Sequence, residues 1–188
     1  MSVVSLPERA RISADRFLKM AETGVLTEAD RVELIDGDLI NMAPIGPPHS
    51  AVVARLNKHF VLSVGDSAIV SPGSSVRMGD YSMPQPDLML LRPREDFYSA
   101  RLPTPADILL LVEVSESSLS FDQGIKRALY ARQGVAEYWV LDLPGRRVHV
   151  YRDPTVEGYG DASVHTLNEA VSPRALPAVQ VVPGTVFA

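Results

Sequence analysis

The sequence predicts an α/β fold, and three stretches carry that prediction. The first, residues 108–143, reads ILLLVEVSESSLSFDQGIKRALYARQGVAEYWVLDL: an apolar run, a polar turn, a helical segment and a second apolar run. The second is VELIDGDLINM (32–42), two β-prone runs around Asp36-Gly37, the favoured two-residue hairpin turn. The third is PDLMLL (86–91), an apolar strand whose entry Pro86 holds extended.

Taken in order, residues 1–12 read as a loose arm. Ser13 is placed to cap a short helix from Ala14 to about Glu22, which Gly24 ends. The 32–42 hairpin follows. Glu33, on its first strand, reads equally as a solvent-facing acid and as a member of a site. After the breaker-rich loop APIGPP, a helix runs from Pro48 or His49 to about Val64, with Val52, Val53, Leu56 and Phe60 at helical spacing. His49, near its start, reads as a surface or hydrogen-bonding group rather than a ligand. Two short strands, Ala68–Ser71 and Ser75–Met78, are expected around Pro72-Gly73. Asp87 then opens the 87–91 strand, and 92–105 is a charged, proline-punctuated loop.

In the central unit, Ile108 to Val112 suit a strand buried on both faces. Ser120 with Gln123 forms a capping box for a helix over 121–132, stopped at Gly134. On it Asp122, Lys126 and Tyr130 recur at i, i+4 and i+8 and share a face, with Ile125 and Leu129 on a neighbouring apolar stripe. Glu137 to Leu143 is the second strand, with Trp139 packed in the core, and 146–151 pairs back on it across Pro144-Gly145. The short runs 164–167 and 179–182 read as edge strands.

Composition narrows the function. The 188 residues suit one domain, and 46% hydrophobic with 22% charged residues describes an ordinary globular chain rather than a disordered one. The absence of cysteine excludes disulfides, thiolate catalysis and Cys-based metal sites. No signal pattern or membrane-spanning run is visible, so a cytoplasmic protein is expected. The net charge of -5 argues against a nonspecific nucleic-acid coating protein.

The chemistry gathers at Asp87, Glu113 and Lys126. Taken singly, an Asp after Pro is an ordinary turn residue and a helical Lys an ordinary solvated charge. Glu113 is the most specific, because an acid in so apolar a run costs free energy unless paired, protonated or metal-bound. Two carboxylates converging from adjacent strands cannot both stay ionised cheaply. A divalent cation resolves that conflict. Mg²⁺ needs only one or two carboxylates plus waters, with the Val114 backbone carbonyl a natural third protein ligand. Such an ion with a lysine beside it suits hydrolysis of a phosphodiester.

These residues also carry a resemblance. Pro86-Asp87 followed by Glu113-Val114 resembles the PD and (D/E)X portions of the PD-(D/E)XK nuclease superfamily. More closely, VELIDGDLINMAP (32–44), His49, PDLMLL (86–91), 110–143 and RRVHVYRDP (146–154) resemble the Uma-type restriction endonucleases of bacteria, over most of the chain from about Ala14. The resemblance implies a restriction-endonuclease-like core, a mixed sheet flanked by helices. It makes Asp87 and Glu113 metal ligands, adds Glu33 as a possible further acid, and gives Asp122 and Tyr130 the task of ordering Lys126. The motif lysine's usual place, two residues after Glu113, holds Ser115. The family supplies its lysine from the following helix, at the position of Lys126, and a helical turn of about 5.4 Å plus a lysine stem can bridge that gap.

The function expected is a Mg²⁺-dependent endodeoxyribonuclease, with Mn²⁺ as a substitute ion and DNA as substrate. The alternative is a noncatalytic nucleic-acid- or protein-binding module that keeps the nuclease fold. A phosphodiesterase acting on RNA or a small nucleotide is a third reading. A homodimer is expected because duplex cleavage needs two cuts and an isologous pair supplies them.

Overall fold

The computed structural model describes residues 10–188. Most of the arm expected over 1–12 lies outside the described residues. Arg11 and Ile12 are tied down rather than loose. The Ile12 N–H donates to the Gly37 carbonyl at 3.0 Å, and Arg11 Nε to the Asp36 carbonyl at 2.9 Å.

Helix α1 (Ala14–Glu22) starts where the Ser13 hydroxyl accepts from the Arg16 N–H, and it buries Ala14 and Phe17. Strands β1 (Val32–Ile35) and β2 (Asp38–Asn41) form the expected hairpin as a separate two-stranded sheet. Asp36 and Gly37 take the positive φ, 52° and 87°, that its tight turn requires. A bridge between Leu34 and Met83 fastens the hairpin to the body. Helix α2 (Pro47–Val64) places prolines in its first turn, where the missing amide donor costs nothing, and buries Val52, Leu56, Phe60 and Val64 along one stripe.

The main sheet has six strands: β3 (Ile69–Pro72), β4 (Leu88–Leu91), β5 (Ile108–Ser115), β6 (Glu137–Asp142), β7 (Arg147–Thr155) and β8 (Gly158–His165). They lie in that order, with β5 and β6 parallel and the other neighbours antiparallel. The parallel pair is joined by helix α3, residues 119–132. One sheet face packs on α2 and the C-terminal tail through Leu110, Val112, Val114, Trp139 and Leu141. The other packs on α3 through Met89, Leu111, Tyr138 and Val140. Every residue of β5 is buried, as an apolar run covered on both faces demands.

Four local expectations are corrected. The hairpin at Pro72-Gly73 does not form: β3 pairs with β4, and 75–78 runs outside any ladder. Val76 and Met78 are buried there, with their amides bonded to the Pro84 and Ser82 carbonyls. Their alternation therefore fills the core rather than marking a strand. The Ser120–Gln123 capping box is absent, and α3 begins at Leu119. It contains a π turn, Asp122–Lys126, between α-helical pieces Leu119–Phe121 and Arg127–Arg132. That wider turn swings Ile125 to the surface, 52% exposed, while Leu129 stays buried. In the tail, 179–182 contributes only a bridge between Val171 and Val181, whereas Val164 does fall on the edge strand β8. No helix among the described residues is long and apolar enough to cross a membrane.

Candidate active site

Strand alternation decides where Glu113 faces. Val112 and Val114 belong to the α2 side of the sheet and Leu111 to the α3 side, so Glu113 faces α3. Glu113 is not at the tip of its strand, since β5 runs on to Ser115. The antiparallel register Leu88↔Val112 brings Asp87, just before β4, level with the end of β5. There Asp87 Oδ2 accepts the Val114 N–H at 2.7 Å. The first turn of α2 adds His49, whose Nε2 lies 3.1 Å from Asp87 Oδ1.

The π turn presents Lys126 and Asp122 to the same interior. Lys126 Nζ lies 3.0 Å from Glu113 Oε1, 3.2 Å from Glu33 Oε1 and 4.0 Å from Asp122 Oδ1. Tyr130, one helical turn on, donates its hydroxyl to Glu113 Oε1 at 2.7 Å. Asp122 Oδ2 accepts from the Ser115 and Ser118 hydroxyls at 2.7 and 2.5 Å. Glu33 reaches in from β1, buried, and accepts the Gln85 N–H at 3.3 Å.

The structure thus places Glu33, Asp87, Glu113, Val114, Asp122 and Lys126 around one cleft of ≈ 300 Å³, with Tyr130 buried behind Glu113. Glu33 is a buried member of this group and not a solvent-facing acid. Val114 meets Asp87 through its N–H. Sequence reasoning undervalued His49, which pairs directly with Asp87, and it passed over Ser115 and Ser118, which hold Asp122. Ser115 was noticed only for the lysine it replaces. A small hydroxyl beside a buried acid was the missed signal.

The electrostatics follow from this crowding. Burial pushes the Glu113 carboxyl well above its ordinary range; Asp122, Asp87 and Glu33 push the same way, against Lys126. For Lys126, burial opposes the charge, but Glu113, Glu33 and Asp122 outweigh it and hold its pKa above the ordinary value. The hydrogen bond to Asp87 raises His49 against its partial burial. Burial, then the Glu113 charge, keeps Tyr130 a neutral donor.

Five acidic side chains, Glu33, Asp87, Glu113, Glu116 and Asp122, line the cleft with Arg31, His49 and Lys126. Its donors are hard oxygens. Among the described residues no three His, Cys, Asp or Glu side chains gather as a metal-binding set. Hard oxygens are the donor type of cations such as Mg²⁺, which take one or two carboxylates and keep most of their water.

The chain is thus a mixed α/β protein with an acid–acid–lysine cluster in one cleft. The fold is similar to the crystal structure of a protein from Anabaena variabilis ATCC 29413 described as "a putative nuclease belonging to DUF820". The TM-score is 0.74 at 18% identity, over 94% of this chain and 97% of that one. The sequence profile of the Uma2 family, described as "Putative restriction endonuclease", matches residues 14–184. The chain belongs to the Uma2 family. A comparison with curated proteins finds no match.

Proposed function

We propose that this protein is a Mg²⁺-dependent endonuclease that hydrolyses DNA phosphodiester bonds, with Mn²⁺ as a substitute ion. The observation that carries the reading is the meeting of Asp87 and Glu113 in one cleft, with Lys126 bonded to Glu113 at 3.0 Å. Asp87, Glu113 and the Val114 carbonyl are the groups that would hold the ion. When bound, the ion acidifies a water and polarises the phosphodiester. Overall, a water oxygen bonds to phosphorus, one P–O ester bond breaks, and the leaving oxygen takes up a proton. Three carboxylates hold the proton on Lys126, so it acts as a fixed positive charge near the developing phosphorane rather than as a general base. Glu33 and Asp122 orient the ammonium, and Tyr130 fixes the Glu113 carboxylate.

A noncatalytic module is the second reading, and one observation favours it: both Asp87 oxygens already have partners, His49 and the Val114 N–H. Calorimetric titration with Mn²⁺ separates the two, since only a working site binds the ion in a way that Asp87→Ala removes.

Plasmid nicking with Mg²⁺ and with Mn²⁺ tests the proposal directly. Asp87→Ala is expected to lower cleavage by at least about 10²-fold, the loss typical of groups that hold a metal site together. Equal cleavage by wild type and variant refutes the assignment. A homodimer completes the proposal by supplying two cuts to a duplex. Sedimentation is expected to show the dimer at micromolar concentration, and a clean monomer counts against it.

A further inference from the structure

We infer that Arg31 holds a phosphate of the polynucleotide strand next to the cleaved one, where the acid cleft opens into a second groove beside α1. This rests on the nuclease reading above. Two clefts meet at Arg31. It lines the ≈ 300 Å³ acid cleft and also a ≈ 780 Å³ groove that continues to Phe17 and Leu26. The two share Arg31, Met42, Ile45, Gln85 and Asp87, so a strand lying over Asp87 has a continuous path past Arg31.

Charge singles out the same residue. Glu33, Asp87, Glu113, Glu116 and Asp122 line the acid cleft, and a polyanion entering it is repelled. Lys126 is buried and committed to Glu113 and Glu33, and His49 is committed to Asp87. Arg31 is exposed and, among the described residues, has no carboxylate within ion-pair distance. Among the described residues it is the one uncommitted cation on the wall, and a guanidinium grips phosphate through paired N–H donors.

The backbone at Arg31 is held in place from both sides. Its φ of 41° and ψ of 58° put it in the left-handed region, uncommon for a long side chain. On the preceding side the Asp30 carboxylate accepts the Thr27 N–H at 2.6 Å and its hydroxyl at 2.9 Å. On its own side the Arg31 carbonyl accepts the Met42 N–H at 2.9 Å. The guanidinium is therefore carried on a fixed corner of the hairpin and not on a mobile loop.

The test is fluorescence anisotropy in Ca²⁺ buffer, with a short labelled single strand and the matching duplex, across a salt series. Arg31→Gly removes the side chain while easing the left-handed backbone, so the fold is kept; thermal melting verifies this. Binding at low salt is expected to weaken roughly tenfold, and the log–log salt slope to fall by about 0.7 on the single strand or about 0.9 on the duplex, one phosphate contact. Arg31→Lys is expected to restore the slope and only part of the affinity. Arg92→Ala, which removes equal charge at the far end of β4, is expected to leave the slope unchanged. An unchanged slope in Arg31→Gly, with wild type still binding and cleaving, overturns the role of Arg31 and leaves the nuclease reading standing. No binding of either nucleic acid by wild type overturns both.

Discussion

Two buried glutamates on neighbouring central strands, Glu113 on β5 and Glu137 on β6, have opposite surroundings. Glu137 is 2% exposed and saturated: Trp139 Nε1 (2.8 Å) and Arg152 (2.7 and 2.9 Å) donate to Oε1, and the Arg174 N–H (2.6 Å) donates to Oε2. Its partners tie β6 and β7 to the C-terminal tail, since Arg152 also donates to the Ser172 carbonyl at 2.9 Å. Glu113 is 4% exposed, yet both of its side-chain donors, Lys126 and Tyr130, converge on Oε1, and the residue lines an open cleft. Nearly equal burial thus goes with two very different hydrogen-bond environments. The two glutamates differ in whether both oxygens are already satisfied and in whether solvent space remains beside them.

The strongest way to break this comparison is to truncate each acid in turn. Glu113→Ala is expected to abolish metal-dependent nicking, at least about 10²-fold, while the protein stays folded. Glu137→Ala is expected to cost about 3 kcal/mol in urea unfolding, because it strands the Arg152 charge, and to leave cleavage per folded molecule near wild type. If Glu137→Ala lost activity while keeping its unfolding midpoint, the division of labour drawn here would be wrong.

A smaller effect concerns pH. The ordinary value for Glu113 is 4.5, and burial holds the folded-state value well above it. The native metal-free protein therefore keeps a proton that the unfolded chain gives up. The stability this contributes is fully present below pH 4.5 and is lost as pH rises through the raised value. Urea midpoints measured in EDTA across that range are expected to fall with pH in wild type and in Glu137→Gln, and to flatten in Glu113→Gln. A slope that survives in Glu113→Gln would place the responsible proton elsewhere.

The Glu113 half of this comparison was legible in the sequence, for identifiable reasons. The apolar run 108–112 announced a strand covered on both faces, and an acid at its end had to be answered by something nearby. Asp122, Lys126 and Tyr130 were grouped correctly on one face because i, i+4 spacing survives a single π turn. Ile125 was misplaced by that same turn. The turn accompanies an Asp122 held by Ser115 and Ser118, from outside the π segment, so no local pattern displays it. The 75–78 segment failed for a related reason: alternation marks burial, while pairing is settled by which neighbour offers free donors, and Pro84 and Pro86 offer none. His49 was hard to weigh because its partner, Asp87, lies on a different element far along the chain.

Tyr130→Phe carries the smallest effect and the sharpest one. It deletes one of the two donors to Glu113 Oε1 and keeps the ring, which packs edge-on against Tyr138 at 4.9 Å. The lost hydrogen bond is expected to cost about 1 kcal/mol in stability. If Glu113 holds the ion, freeing its carboxylate is expected to weaken Mn²⁺ binding about tenfold as well, as second-layer partners of metal ligands do. The matched change at the other glutamate, Trp139→Phe, also removes one donor and leaves Arg152 and Arg174 in place. It is expected to lower stability and leave Mn²⁺ binding unchanged. Loss of stability without loss of ion affinity in Tyr130→Phe would make Glu113 a second structural acid, and the burden of metal binding would fall on Asp87 alone.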